Sequence, residues 1–142
     1  MSDLTKAILI ATAAHQGQLD KGNQPYILHP LRLMLKAPDN DSRIVAILHD
    51  VIEDTDVTIE SLRQEGFAER LLEALDCLTR RDNETYEEFL QRIKPNSLAR
   101  YVKLLDLEDN RDVRRIKKLS EKDFERLQRY EKAVKYLLTR SP

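Results

Sequence analysis

His49 and Asp50 stand side by side, and Glu53 and Asp54 follow four residues behind each of them. On a helix, positions three and four apart share a face, so this spacing gathers one imidazole and three carboxylates into a single polar cluster. The residues around them, Ala46, Ile47, Leu48, Val51 and Ile52, are apolar. Four ionisable groups in such a setting are costly unless something compensates them, and a divalent cation is the favoured compensation. Mixed imidazole and carboxylate ligands suit manganese, iron, zinc or nickel better than calcium. Two further residues interrupt apolar runs in the same way. His29 lies between Tyr26-Ile27-Leu28 and Pro30-Leu31, and Asp106 lies within Val102-Lys103-Leu104-Leu105-Asp106-Leu107. Taken singly, such a histidine is more often a hydrogen-bonded core residue, and such an aspartate a cap or an arginine partner.

The elements that must bring these groups together are helical. With 3 glycines and 5 prolines there are few breaks, and apolar residues recur at helical spacing throughout. Ser2 or Asp3 caps a first helix with Leu4, Ile8, Ala11 and Ala14 or His15 inward. Residues 17–25 read as a loop, with a turn at Gly22-Asn23 and Pro25 at its end. A second helix starts near Tyr26 or His29, carries Leu31, Leu33, Met34 and Leu35, and stops before Pro38. Asp39-Asn40-Asp41-Ser42 caps the central helix, which runs through His49 and Asp50 to end near Asp54. Thr58 opens a short helix that Gly66 stops. Further helices are expected over 67–79, from Thr85 through Ile93, from Asn96-Ser97 through Leu105, and over 123–138. The expectation is one compact all-α domain over residues 1–142, without strands, repeats or linkers.

Bulk charge announces no nucleic-acid or membrane partner, because 24 basic residues nearly balance 25 acidic ones. The balance hides an asymmetry. Residues 38–93 carry 15 acidic and 6 basic groups, whereas residues 94–142 carry 14 basic and 8 acidic groups. An acidic segment beside a basic one suits an anionic, metal-dependent substrate, and equally suits solvated faces that neutralise each other. The single cysteine, Cys77, excludes an internal disulfide and a cysteine-rich zinc site, and its apolar neighbours mark it as a core residue. No stretch reaches the roughly 18 apolar residues of a membrane span, and the N-terminus lacks a signal pattern. A cytoplasmic location is expected, and the oligomeric state stays open.

In their order and spacing, His29, His49-Asp50 and Asp106 resemble the H…HD…D signature of HD-domain metal-dependent phosphohydrolases. Flanking phrases narrow the resemblance. Ala14-His15-Gln16-Gly17-Gln18, Lys21-Gly22 and Pro25-Tyr26-Ile27-Leu28-His29-Pro30-Leu31 resemble the opening of the RelA/SpoT-type hydrolase domain. Leu48-His49-Asp50-Val51-Ile52-Glu53-Asp54-Thr55 resembles its central helix, and Lys103 through Asn110 its K-L-x-D-x-x-x-N segment. The resemblance implies one divalent metal, usually manganese, held by His29, His49, Asp50 and Asp106, with iron, nickel, zinc or magnesium as alternatives. It also implies that Glu53 and Asp54 act on the attacking water and that Asn110 fixes the substrate.

Lys21 falls at a basic position that the family uses on the substrate. Arg126 and Tyr130, four apart, resemble an Arg and Tyr that its stand-alone animal members set against the nucleotide; a surface Arg and a core Tyr would read the same. Leu78-Thr79-Arg80-Arg81 with Glu84-Thr85-Tyr86 resembles small single-domain bacterial relatives. Arg80 and Arg81 would bind phosphate bidentately or simply keep a loop solvated. Tyr26 is read as packing, and His15 as a hydrogen bond behind a ligand. One departure matters: Asp20 stands where the family usually has an arginine against the nucleotide. The implied activity is hydrolysis of a small nucleotide-like phosphoester, foremost the 3′-pyrophosphate of (p)ppGpp. Another nucleotide or dinucleotide phosphatase, or a non-catalytic nucleotide-binding module, is the alternative. With the chain closing at Pro142, synthetase activity is not expected.

Overall fold

The structure, a computed structural model, describes residues 3–112 and 119–139; Ser2, the alternative first cap, lies outside them. Nine α-helices occur among the described residues: α1 (Leu4–Ala14), α2 (Leu28–Lys36), α3 (Asn40–Leu48), α4 (Val51–Asp54), α5 (Ile59–Gln64), α6 (Glu69–Cys77), α7 (Tyr86–Ile93), α8 (Ser97–Asn110) and α9 (Glu121–Leu138). Extended pairing among those residues is confined to one antiparallel bridge, Leu19 with Pro25, which closes the α1–α2 loop. Within that loop Asn23 takes a left-handed conformation at φ 63°, a conformation that asparagine tolerates better than most residues.

Short polar residues start the helices where orphan backbone amides need acceptors. Asp3 caps α1, and Asn96 caps α8. Asp39, Thr58 and Thr85 each form a reciprocal capping box, with Ser42, Ser61 and Glu88 respectively. Gly66, at φ 93°, ends the turn after α5.

The core is organised around α3. Val45, Ala46, Ile47 and Leu48 are all fully buried. Such an all-round apolar segment is stable only when helices cover every side of it, and α1, α2, α6 and α8 do so. Fully burying each large aliphatic side chain contributes about 1.5–3 kcal/mol. Helix α9 packs on α8 through Ala133 and Leu137.

Three local expectations differ from the structure. The central helix is not continuous: α3 ends at Leu48 and α4 begins at Val51, with His49 and Asp50 between them. The His49 ring bonds the Ala46 carbonyl at 2.7 Å, and Asp50 sits at φ −106°, ψ −4°. Leu35 points outward at 78% exposure, because α2 turns Leu33 and Met34 toward the core instead. The last helix starts at Glu121 rather than near Asp123, since Ser120 and Asp123 form a capping box.

Candidate metal centre and cleft

Three parts of the fold deliver the polar cluster. Helix α2 carries His29, the α3–α4 junction carries His49 and Asp50, and α8 carries Asp106. His29 Nε2 lies 2.9 Å from Asp106 Oδ1 and 4.0 Å from Asp50 Oδ2. His49 Nε2 lies 3.0 Å from Asp50 Oδ2 and 3.4 Å from Asp106 Oδ1. Ligand atoms of His29, His49 and Asp106 all fall within 4.8 Å of one another. All three residues are at most 6% exposed.

His49 Nε2 is the telling atom. It is buried and makes no aligned hydrogen bond, although two carboxylate oxygens stand close to it. Its partner nitrogen Nδ1 donates to the Ala46 carbonyl, so the neutral ring carries its lone pair on Nε2. A lone pair aimed between anionic oxygens is repulsive unless a proton or a cation sits among them. Burial opposes protonation of His49, but the Asp50 and Asp106 carboxylates overcome it and raise its pKa. His29 behaves alike: burial opposes the charge, and the bonds to Asp106 and Asp109 outweigh it. The carboxylates answer in kind. Burial acts to raise Asp106, yet the Lys103 ammonium holds it well below the usual range. The donor set, two imidazole nitrogens and two carboxylate oxygens, fits a first-row divalent cation.

Residues beyond these four hold the cluster in place, and sequence reasoning passed most of them over. Lys103 Nζ bonds Asp106 Oδ2 at 3.0 Å, while Asn110 Nδ2 donates to Asp106 Oδ1 at 3.2 Å. His29 Nδ1 lies 2.6 Å from Asp109 Oδ2, and Arg32 grips the same Asp109 carboxylate with two nitrogens at 2.8 and 2.9 Å. The sequence signal was helical spacing: Asp109 follows Asp106 by three, and Arg32 follows His29 by three. Tyr26 corrects an expectation. Instead of only packing, its hydroxyl donates to Asp50, and burial followed by the Asp50 charge pushes its pKa up. His15 bonds Gln18 at 2.9 Å rather than any of the four central residues, and Gln18 in turn donates to the Asp54 carbonyl.

A cleft of about 460 Å³ opens over the cluster, with His29, Asp50 and Asp106 in its lining. Lys21, Asn110, Arg126 and Tyr130 also line it, as do Tyr26 and Arg32. Arg80 and Arg81 are not brought to it. The Arg81 guanidinium pairs with Asp76 at 3.0 Å, and that of Arg80 lies over the Tyr86 ring. Arg80 does reach the cluster through its backbone amide, which donates to Glu53. Glu53 and Asp54 sit at the solvent-facing side of the junction. Partial burial, then the Asp50 charge, raises both carboxyls above their ordinary values, with the Arg80 amide opposing the rise at Glu53.

No family model matches the chain. Among curated proteins it is 37% identical over 82 residues to a guanosine-3′,5′-bis(diphosphate) 3′-pyrophosphohydrolase of Aquifex aeolicus, a match covering 55% of this chain and 12% of that protein. It is 40% identical over 65 residues to the bifunctional (p)ppGpp synthase/hydrolase SpoT of Escherichia coli, covering 43% of this chain and 9% of that one. The matched segment is thus about a tenth of the length of these relatives. Among solved structures, a metazoan orthologue of SpoT, described as hydrolysing ppGpp and acting in starvation responses, superimposes with a TM-score of 0.76 at 19% identity. That likeness covers 97% of this chain and 86% of the other. The resemblance to RelA/SpoT-type hydrolases read from the sequence is therefore borne out, and the all-α architecture is the fold of the solved metazoan orthologue.

Proposed function

We propose that the chain is a divalent-metal-dependent phosphohydrolase of a nucleotide-like phosphoester, with the 3′-pyrophosphate of (p)ppGpp as leading substrate and manganese as leading metal. The observation that carries this reading is the convergence of His29 Nε2, Asp50 Oδ2 and Asp106 Oδ1 near His49 Nε2, a buried imidazole nitrogen without an aligned hydrogen bond. Those four residues would hold the ion. When bound, a divalent cation lowers the pKa of water and stabilises charge growing on phosphoryl oxygens. Glu53 and Asp54 stand one turn beyond Asp50, where a carboxylate with a raised pKa takes up a proton from water nearer to neutral pH. Tyr26 fixes the Asp50 carboxylate through its hydroxyl. Lys21 brings positive charge to the cleft for phosphate, Arg126 lines it while paired with Asp123, Asn110 stands beside Asp106, and Tyr130 offers a ring face and a hydroxyl to the nucleoside.

A second reading, a different nucleotide or dinucleotide as substrate, draws on Asp20. Its Oδ1 accepts the amides of Gly22 and Gln24 at 2.8 and 3.0 Å, so this carboxylate braces the loop beneath Lys21. Asp20 also lines the cleft, so where the relatives carry an arginine against the nucleotide this cleft presents a carboxylate, which favours a differently charged or differently shaped phosphorylated nucleotide.

The deciding experiment loads the protein with manganese and assays a panel of nucleotides for the phosphate released. Pyrophosphate from the 3′ position of (p)ppGpp is the expected product. Glu53→Ala should lower turnover by about 10²–10⁴-fold while manganese stoichiometry stays unchanged. A manganese-loaded protein inert toward every phosphorylated nucleotide would overturn the reading.

A further inference from the structure

We propose that Arg32 and Asp109 are positioning residues that set metal affinity by fixing which nitrogen of His29 carries the proton. The inference rests on the metal-centre reading above. Two i,i+3 pairs on facing helices interlock here: His29 with Arg32 on α2, and Asp106 with Asp109 on α8. As a result α8 contacts both nitrogens of one ring, Nε2 through Asp106 at 2.9 Å and Nδ1 through Asp109 at 2.6 Å.

The two contacts are not equivalent. Asp109 is 3% exposed, and a buried carboxylate is stable only when its oxygens are satisfied. Arg32 satisfies them in a fork, Nε to Oδ1 at 2.8 Å and Nη2 to Oδ2 at 2.9 Å. A bidentate pair fixes the plane of the carboxylate as well as its place. Oδ2 is therefore held facing the His29 ring, where it accepts the Nδ1 proton. With that proton fixed, Nε2 presents its lone pair toward Asp50 and Asp106, the orientation a ligating imidazole needs. A ring without this partner would divide between two tautomers, one of which aims an N–H at the ion. Arg32 acts through Asp109, and Asp109 through His29.

The test titrates manganese into the wild-type protein, Asp109→Asn, Arg32→Met and the double variant by calorimetry, with the fold checked by circular dichroism. Asn keeps the size of Asp and still accepts from His29, but it lacks the charge and half of the fork. Asp109→Asn should weaken manganese binding about 10–100-fold, and Arg32→Met about 10-fold. The double variant should bind about as Asp109→Asn does, because both side-chain bonds of the Arg32 guanidinium go to the Asp109 carboxylate. The loss of kcat at limiting manganese should be restored by excess metal, with the KM for nucleotide unmoved. Independently, ¹⁵N shifts of the neutral His29 ring in metal-free protein should report mainly the Nδ1–H tautomer in wild type and a shift toward Nε2–H, facing Asp106, in Asp109→Asn.

Variants that bind manganese within a factor of about three of wild type would overturn the proposal. So would an Arg32→Met effect confined to KM, which would make Arg32 a substrate contact of the cleft it lines. Should Asp109→Asn fail to fold, Arg32→Met, at a side chain 30% exposed, carries the same decision. A wild-type protein that takes up no manganese would refute the metal-centre reading itself; the His29 tautomer would then decide the positioning role alone.

Discussion

Replacing Lys103 with methionine separates the two charges that can balance Asp106. Methionine keeps an unbranched apolar stem beside the rings of Phe89 and Tyr86, over which the ammonium now lies at 5.4 and 5.8 Å. It removes the positive charge 3.0 Å from Asp106 Oδ2. The two side chains are 13% and 9% exposed, so this is a buried pair rather than a surface one. At that distance and an effective dielectric of about 20, the gross attraction is roughly 5–6 kcal/mol. Orphaning one member of such a pair costs about 3–5 kcal/mol net. The protonatable rings of His29 and His49 beside the same carboxylate place the expected cost at the low end, about 3 kcal/mol. For a chain of 142 residues that is a fall in Tm of about 10 °C without metal. A bound divalent cation changes the sign of one term: it compensates Asp106 and is itself repelled by Lys103. The cost with metal should therefore shrink by about 2 kcal/mol, which appears as manganese binding about 30-fold tighter in the variant. Thermal unfolding with a chelator and with excess manganese, alongside calorimetric titration, measures both quantities. A loss of Tm with manganese equal to or larger than the loss without it would refute the assignment of Lys103 as the counter-charge of Asp106.

Tyr26→Phe keeps the ring and deletes the hydroxyl that donates to Asp50, so it should cost about 1.5–3 kcal/mol in urea unfolding; a cost near zero would return Tyr26 to a packing role. Away from the centre, the bond from Arg92 pulls the Glu84 carboxyl from its ordinary 4.5 to about 2. A depressed carboxylate contributes stability that is complete above the unfolded value and lost as pH falls through the folded one. The Tm gap between wild type and Glu84→Gln should accordingly narrow between about pH 4.5 and pH 2, and be flat above pH 6.

The parts of the fold that were legible from sequence share a local cause. Thr85 and Glu88 specify the start of α7 within three residues of each other, and Asp39 with Ser42 does the same for α3. The metal-centre candidates were legible because each breaks an apolar run, which is visible in one dimension. What stayed hidden depends on which way a helix faces. Leu35 reads as core by composition, yet the rotation of α2 that sends His29 and Leu33 inward leaves it outside. Arg81 reads as a phosphate ligand beside Arg80, but Asp76 on the preceding helix lies within reach and pairs with it. Asp109 and Arg32 read as ordinary charged helix residues, and only the packing of α2 on α8 makes them partners.

The break in the central helix joins these two kinds of information. In a continuous helix, successive side chains diverge by about 100°, so neighbours such as His49 and Asp50 would face apart. Here the His49 Nε2 and Asp50 Oδ2 atoms approach to 3.0 Å because the chain leaves α3 at Leu48 and restarts at Val51. The local device is the bond from the His49 ring to the Ala46 carbonyl, an acceptor that the uninterrupted ladder would use for the amide four residues on. The same interruption confines α4 to a single turn, Val51–Asp54, so Glu53 and Asp54 close a short helix rather than a long one whose dipole would oppose their charge. One ring therefore presents a donor nitrogen to the centre, turns its neighbouring carboxylate toward the same point, and makes room for the acidic pair beyond. Periodicity alone could not expose that arrangement, because the side chain that ends the helix is also the one its apolar pattern singled out as chemistry.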